Sequence, residues 1–490
     1  MIEKVAIANR GEVAVRIIRA CQEMGLETVL LHSEADMSTK AYRIADQCIC
    51  IGPASVQESY LNIQANIDGA LAAGADAIHP GFGFLSENAE FARACENNRL
   101  IFVGPSAECI ELFGDKISAK QLVKTAGGPV IPGYQGDDQS FENLKKQASQ
   151  IGYPLMVKAA AGGGGRGLRV VYEEGQFESA LESAQREGLN SFGSAQVFLE
   201  KYLNESKHIE VQIFADAKGE VFHLYDRECS VQRRHQKVIE EAVSATLDEN
   251  TRQEICNTAV KIAKQSGYKG AGTVEFLYEK GEFYFLEMNT RLQVEHPVTE
   301  LVLGVDLVKA QILTAQNKAV TWKQEDLKPR GHSIECRLYA EDAYNQGVPS
   351  TGRLGYLYWP DAPGRRFDVG FEINDEVTSY YDPMLAKVIV WDETRPRAIQ
   401  KMIHTLKETV VFGVKTNIPY LIELLSHPEF VNGTMTTRFI DTYFPKGLEA
   451  KEFSEDDVLI AKQIAKKIKD NQSGTDHHHP SPWTSTWGES

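Results

Sequence analysis

Thr273-Val274-Glu275-Phe276-Leu277-Tyr278, a turn near Gly281, and Phe283-Tyr284-Phe285-Leu286-Glu287-Met288-Asn289 read as one antiparallel hairpin. Both arms alternate polar and apolar residues, the period of a half-buried strand. Centred on Gly281, the register sets Glu275 opposite Glu287, and Val274, Phe276, Leu286 and Met288 then share the apolar face. Carboxylates opposed across antiparallel strands, with Cβ atoms about 5 Å apart, repel each other. A divalent cation removes that repulsion, and carboxylate oxygens suit Mg²⁺, which takes further ligands from water and nucleotide phosphates. Asn289, on the same face, adds a neutral oxygen. The alternative is a solvated strand face with two unrelated glutamates; a second feature upstream favours the metal.

That feature is Ala161-Gly162-Gly163-Gly164-Gly165-Arg166-Gly167, set between two strand-like runs, Tyr153–Lys158 and Leu168–Val171. Its glycines fit G-x-G-x-x-G, but a strand follows where that fingerprint needs a helix, and the Gly-Lys-Ser/Thr of a Walker loop is missing. An ordinary hairpin turn needs only one or two residues at positive φ. Four consecutive glycines exceed that need, and they offer backbone N–H groups that can wrap a phosphate beneath a mobile lid. Lys158 adds an ammonium beside them.

Directly after the hairpin comes Arg291-Leu292-Gln293-Val294-Glu295-His296-Pro297. Pro297 restricts His296 to extended backbone, so the segment is expected to be loop rather than helix. The simplest reading pairs Arg291 with Glu295; beside a bound metal nucleotide the two would instead hold an oxyanion and remove its proton. Arg233-Arg234-His235-Gln236-Lys237 is a basic cluster whose isolation in an acidic chain favours an anion pocket over a solvated run.

Further out, residues 1–113 alternate strand-like runs with helical patterns: Val5–Ala8, then Ala14, Ile17, Ile18 and Cys21 at helical spacing, then Thr28–Leu31, Cys48–Ile51, Asp76–His79 and Ile101–Val103. Strands separated by helices imply a doubly wound parallel sheet. The first turn, Asn9-Arg10-Gly11, lacks the dinucleotide fingerprint, which disfavours a nicotinamide dehydrogenase. Residues 114–330 read as hairpins interleaved with helices. Residues 331–447 carry strands at His332–Arg337 and Leu385–Val390 and helices near 400 and 421. The fold class is α/β, α+β overall.

The chain has 490 residues, enough for about three domains. Its net charge of 52 − 68 = −16 argues against a nucleic-acid binder, which needs a basic face. Hydrophobic and charged fractions of 42% and 24% suit a soluble globular chain. No apolar run is long enough to span a bilayer, and the start lacks a secretory pattern. Eight scattered cysteines, none in Cys-x-x-Cys spacing, read as reduced core thiols, so a cytoplasmic location with no membrane partner is expected.

Glu200-Lys201-Tyr202-Leu203, the glycine loop, the Glu275/Glu287/Asn289 hairpin and Arg291–Pro297 together resemble biotin carboxylase, of the ATP-grasp superfamily. The resemblance begins at Ile7-Ala8-Asn9-Arg10-Gly11-Glu12, runs through His79-Pro80-Gly81-Phe82-Gly83-Phe84-Leu85-Ser86-Glu87-Asn88 and reaches about residue 445. Phe82 stands where the family more often has tyrosine. The resemblance implies an N-terminal domain over 1–113, an ATP-grasp domain over 114–330 with a glycine-rich lid at about 131–203, a C-terminal mixed α/β domain over 331–447, and a helical then disordered tail over 448–490.

It also implies a reaction: MgATP and bicarbonate carboxylate N1′ of biotin on a carrier protein, with Mg²⁺ or Mn²⁺ as the metal. On this resemblance Lys116, Lys158, Gly162, Gly163, Gly164, Gly165, Glu200, Lys201, Leu203, His208, Gln232 and His235 contact ATP, and Glu275, Glu287 and Asn289 hold the metal. Lys237 and Arg291 bind anion, Gln293 and Val294 contact bicarbonate, Glu295 is the base and Arg337 stabilises the biotin enolate. The implied partners are a biotin carboxyl carrier protein, carboxyltransferase subunits and a second copy of the chain. The final acceptor stays open among acetyl-CoA, with its link to fatty acid biosynthesis, another acyl-CoA, and pyruvate. Another ATP-grasp carboxylate–amine ligase would not need Arg291–Pro297, and a nucleotide-sensing regulatory subunit would be expected to lose a metal carboxylate.

No lysine follows a methionine, so the Met-Lys-Met biotinylation pattern is missing, and residues after 447 are too few for a transferase domain. Biotin is therefore expected on a separate polypeptide. In the tail, Ser454 can cap a helix with Glu455, Asp456 and Asp457 in its first turn and Ala461, Ile464, Ala465 and Ile468 along one stripe. His477-His478-His479 reads as a solvated run. Trp483 and Trp487 suggest that 454–490 tethers a partner subunit.

Overall fold

Five short apolar runs near the N-terminus become strands: β1 (Lys4–Ile7), β2 (Glu27–Ser33), β3 (Gln47–Gly52), β4 (Ala77–His79) and β5 (Ile101–Phe102). They pair in parallel in the order β3-β2-β1-β4-β5, the expected doubly wound sheet. Parallel strands are buried on both faces. Val5 and Ile7 accordingly pack with Ile17 and Ile18 of the helix Gly11–Glu23, while Ala6, Val29 and Ile78 pack on the other side with Phe91. Strand order reverses at β1, and there Asn9 Nδ2 donates to the carbonyls of Pro80 and Phe82, each at 2.7 Å. Gly81, at φ +64°, leaves room for that amide; a Cβ would sit 2.9 Å from Asn9 Nδ2.

This computed structural model describes residues 2–159, 168–192, 194–234 and 236–449, with Leu459, Lys462, Gln463 and Lys466 of the tail. Gly162, Gly163, Gly164, Gly165 and His235, and the expected cap, stripe, histidines and tryptophans of the tail, lie outside the described residues.

A small antiparallel sheet joins β6 (Gly133–Tyr134), β7 (Leu155–Ala159), β8 (Leu168–Val171) and β9 (Val197–Lys201) in the order β6-β9-β7-β8. Two helices, Phe141–Ile151 and Phe177–Phe192, cover it, and Leu144, Val157, Phe177, Leu181 and Leu199 give it a core of its own. The largest sheet has eight strands. It runs β14 (Glu282–Asn289), β13 (Gly270–Glu279), β10 (Lys207–Ala215), β11 (Val221–Arg233), β12 (Gln236–Ala242) and β15 (His332–Tyr339), then Met384–Asp392 and Arg365–Val369. The antiparallel pairing of β12 with β15 carries this sheet across residue 330. Ile334, Cys336 and Leu338 face the C-terminal core, so Ser333, Glu335 and Arg337 point the other way.

Two local expectations are corrected. In the β13–β14 hairpin the turn is Lys280-Gly281, both at positive φ, and Glu279 pairs with Glu282. That turn alone would set Glu275 opposite Leu286. A bulge at Leu286 shifts the ladder by one, so Glu275 does face Glu287. Leu286 is thereby expelled, 36% exposed, and Phe285 takes its place in the core beside Phe276, Phe283 and Met288. The second concerns His296, which is helical: a helix spans His296–Leu303 with Pro297 in its first turn. A first-turn N–H has no intrahelical acceptor, so proline there forfeits nothing. All eight cysteines are free, six of them buried, and no described helix is long and apolar enough to cross a membrane.

Glu241 of β12 joins the central strands to the C-terminal helix Arg395–Glu408, accepting from His332 Nε2 and Arg395 Nε, each at 2.6 Å. Burial works against its ionised form, yet His332 and Arg395 hold its pKa down to about 2. A carboxylate lowered by folding stabilises the protein above its unfolded pKa of about 4.3, and that stability is lost as pH falls toward about 2. Glu241→Gln should remove about 3 kcal/mol at neutral pH and flatten the acid limb of stability. Urea midpoints measured from pH 7 downward check both.

Candidate functional site

The polar face of the large sheet gathers charges that the chain keeps far apart. Glu210 on β10, Lys237 on β12, Glu275 on β13 and Glu295, the residue preceding the helix His296–Leu303, meet at one ammonium. Lys237 Nζ lies 2.5 Å from Glu210, 2.8 Å from Glu275 and 2.7 Å from Glu295. Arg227, wholly buried on β11, pairs with Glu210 from beneath and donates to Gln212, Thr299 and Thr273. Arg337 closes the far side, 2.9 Å from Glu295 through Nη2 and 2.6 Å from Glu240 through Nε.

These contacts decide which groups are charged. Burial opposes the ammonium of Lys237, but Glu210, Glu275 and Glu295 outweigh it and raise its pKa well above the ordinary value. Burial likewise opposes ionisation of Glu295, and Lys237, Arg337 and Arg227 nevertheless hold it well below the usual carboxylate range. A helix start, where N–H groups point outward, also favours that charge. Glu295 is thus a buried anion that two cations grip from opposite sides. Such a group takes a proton most readily from an acid bound beside one of those cations.

Most of the expected site residues converge here. His208 Nε2 sits 3.1 Å from Glu275, and Gln232 Nε2 is 2.9 Å from His208 Nδ1. Asn289 and Gln293 donate to Glu275 at 2.8 and 3.3 Å. Arg291 does not pair with Glu295; it donates to Glu87 of the N-terminal domain at 2.7 Å, to Asn289 at 3.0 Å and to Gln293 at 3.1 Å. The Val294 carbonyl accepts from Lys387 Nζ at 2.8 Å. The basic run divides among its described residues: Arg233 turns to Glu341 at 2.5 Å, and only Lys237 enters the site.

A second group gathers at the small antiparallel sheet. Glu200 on β9 is held between Lys158 of β7 and Lys120 of the helix Lys116–Thr125. Lys201 approaches Glu282 and the Tyr284 ring, Leu203 is buried, and Lys116 is exposed at its helix start. Sequence reasoning missed Lys120, Glu210, Arg227, Glu240 and Lys387. Glu210 and Gln212 alternate along β10, but nothing local says which strand they face.

Glu275 and Glu287 are opposed in register as a divalent cation requires. Among the described residues Glu287 makes no hydrogen bond or ion pair, and partial desolvation and then the Glu275 charge raise its pKa. A carboxylate with no direct hydrogen-bond or ion-pair partner, set beside another carboxylate, fits a metal ligand. Asn289 lies two residues on, although its Oδ1 accepts from Arg291 here. A rival donor set, His208, Glu210 and Glu275, clusters within 4.8 Å, but Lys237 Nζ stands between the two carboxylates.

Family models match nearly the whole chain: "Biotin carboxylase, N-terminal domain" over residues 1–110, "Carbamoyl-phosphate synthase L chain, ATP binding domain" over 115–322 and "Biotin carboxylase C-terminal domain" over 335–442. Biotin carboxylase 1 of Bacillus subtilis is 46% identical over 445 residues, covering 90% of this chain and 99% of that protein. The mitochondrial methylcrotonoyl-CoA carboxylase subunit alpha of Dictyostelium discoideum is 45% identical over 493 residues, covering 99% and 70%. The biotin carboxylase domain dimer of Hydrogenobacter thermophilus 2-oxoglutarate carboxylase, solved with MgADP, ADP and bicarbonate, superposes with a TM-score of 0.83 at 43% identity, covering 92% and 100%.

Replacing Lys237 by methionine keeps the stem but leaves three carboxylates around an apolar tip. Removing one partner of a buried ion pair costs about 3–5 kcal/mol. Lys237→Met should lower the urea midpoint accordingly.

Proposed function

The chain belongs to the biotin carboxylase family, and on that premise we propose the roles its residues play in carboxylating biotin. It is an ATP-dependent ligase that uses MgATP, bicarbonate and biotin. The observation that carries the assignment of roles is the grip of Lys237 and Arg337 on Glu295.

Bicarbonate enters between Lys237 and Arg291, with Gln293 and Val294 completing its contacts, and so becomes the acid that Glu295 can deprotonate. The resulting dianion attacks the γ-phosphate of ATP and yields carboxyphosphate and ADP. Positioning and charge compensation supply most of the catalysis in such a transfer. Lys116, Lys158, Glu200, Lys201, Leu203, His208, Gln232, His235 and Gly162 to Gly165 hold the nucleotide. Glu275 and Glu287, with Asn289 beside them, would hold Mg²⁺ or Mn²⁺, which neutralises phosphate charge when bound. Carboxyphosphate breaks to CO₂ and phosphate, the phosphate takes the N1′ proton, and Arg337 faces the enolate oxygen of biotin as N1′ attacks CO₂.

The biotin-bearing lysine lies on a separate carrier protein, and the chain works as a homodimer with carboxyltransferase partners. The relatives named above act on an acyl-CoA and on a 2-oxo acid, so acetyl-CoA, and with it fatty acid biosynthesis, is one acceptor among several. Free thiols throughout suit a cytoplasmic location.

Glu287→Gln should weaken productive use of MgATP, whereas Glu295→Gln should leave nucleotide binding intact and cut bicarbonate-dependent ADP release by about 10²–10⁴-fold. Near-normal turnover of Glu295→Gln would remove it as the base. Made alongside a competent biotin ligase, the chain should give a blank streptavidin blot, and a biotinylated band would place the carrier lysine within it.

A further inference from the structure

Glu240 on β12 and Glu335 on β15 are directly opposed partners in the antiparallel ladder, and both are fully buried. One oxygen of Glu240 accepts from Arg337 Nε. Its other oxygen, and both oxygens of Glu335, are buried without a hydrogen-bond partner among the described residues. Three buried acceptors with no donor, two of them on one carboxyl, are costly, and two opposed carboxylates in one dry site cannot both ionise cheaply. A proton on Glu335 would remove one of the two opposed charges and supply a donor for the free oxygen of Glu240, leaving one oxygen of Glu335 without a partner.

Among the described residues no other hydrogen-bond donor reaches these oxygens, although the Lys387 charge acts on Glu335. On the same face stand Arg337, committed to Glu240 and Glu295, and Lys237, committed to Glu210, Glu275 and Glu295. From the neighbouring strand Lys387 reaches the Val294 carbonyl, Glu12 at 3.2 Å and Asp368 at 3.6 Å. The helix His296–Leu303, packed on β15, brings His296, which burial and then Lys387 hold uncharged, and Glu300, engaged by Arg16 and Arg366. The helix Arg395–Glu408 covers the opposite face with Ala398, Ile399 and Met402. Desolvation pushes Glu240 up to about 7 and raises Glu335 well above the ordinary carboxylate value, in the direction that proton sharing requires.

We propose that Glu240 and Glu335 share one proton and together position Arg337, presenting its Nε with a single negative charge so that Nη2 stays turned toward Glu295 and the substrate. Loss of the shared proton doubles the charge behind Arg337 and draws the guanidinium back from the biotin side. Biotin carboxylation then falls at alkaline pH for a reason separate from the base Glu295. This deepens the role proposed for Arg337 and rests on it, but the proton itself is observable without any turnover.

Difference infrared spectra of the purified full chain, wild type against Glu335→Gln at neutral pH, should show the carbonyl stretch of a protonated carboxyl in the wild type only. An absent band overturns the shared proton whatever the role of Arg337. With free biotin as substrate, kcat/KM for biotin should fall on the alkaline side in the wild type. Glu335→Gln donates the same hydrogen bond and cannot ionise, so it should lose that fall; superimposable profiles overturn the positioning role even if the band is present. Glu240→Gln is the second variant, in case Glu335→Gln does not fold. It should shift or abolish the same band and raise KM for biotin roughly ten- to a hundredfold, the range for a lost charge-assisted hydrogen bond, with KM for ATP little changed. An unmoved band, or equal changes in both KM values, overturns the proposal.

Discussion

Four buried charges around one ammonium organise this molecule. Lys237 touches Glu210, Glu275 and Glu295, and Arg227 backs the first of them. A charge taken out of water is tolerated only when its partners stand in place. The requirement binds β10, β11, β12 and β13 to one register and brings the start of the helix His296–Leu303 down onto their polar face. The same contacts that hold the sheet together leave Glu295 ionised.

The site is not the property of one segment. Arg291 follows the central hairpin yet donates to Glu87 of the N-terminal domain. Lys387, fully buried on a C-terminal strand, reaches the Val294 carbonyl and Glu12. Arg337 comes from β15, across the point where residue 330 divides the sequence but not the sheet. Each tie is short and carries charge, so a displacement of one domain against another would be felt at the loop Arg291–Glu295. The small four-stranded sheet differs: it has its own core, and Lys158 and Glu200 hold each other within it.

Local irregularities place the reacting groups. The bulge at Leu286 leaves a leucine half exposed and breaks the ladder, and it is what sets Glu287 opposite Glu275 despite a two-residue turn. Bulges re-aim side chains where regular pairing would not. Pro297 in a first helical turn lets the helix begin right after Glu295.

The sequence by itself determined what depends on near neighbours. Period-2 and period-3.6 patterns located the strands and helices of the N-terminal sheet, the hairpin and the C-terminal region. Glu275 and Glu287, twelve residues apart along one hairpin, were legible as a pair because a single turn relates them. The segment from Arg291 to Glu295 was legible only as a family motif; its simplest local reading fails, because Arg291 donates to Glu87 rather than to Glu295. Only the tertiary structure decided the rest. Arg337 meets Glu240 across 97 residues of chain, and Lys387 meets Val294 across 93. Glu210, Arg227, Glu240, Glu335 and Lys387 look like ordinary polar positions on half-buried strands until β12 lies against β15. Alternation says which face a side chain takes; which strand stands beside it is set by packing and charge compensation over the whole sheet, and no local pattern encodes that choice.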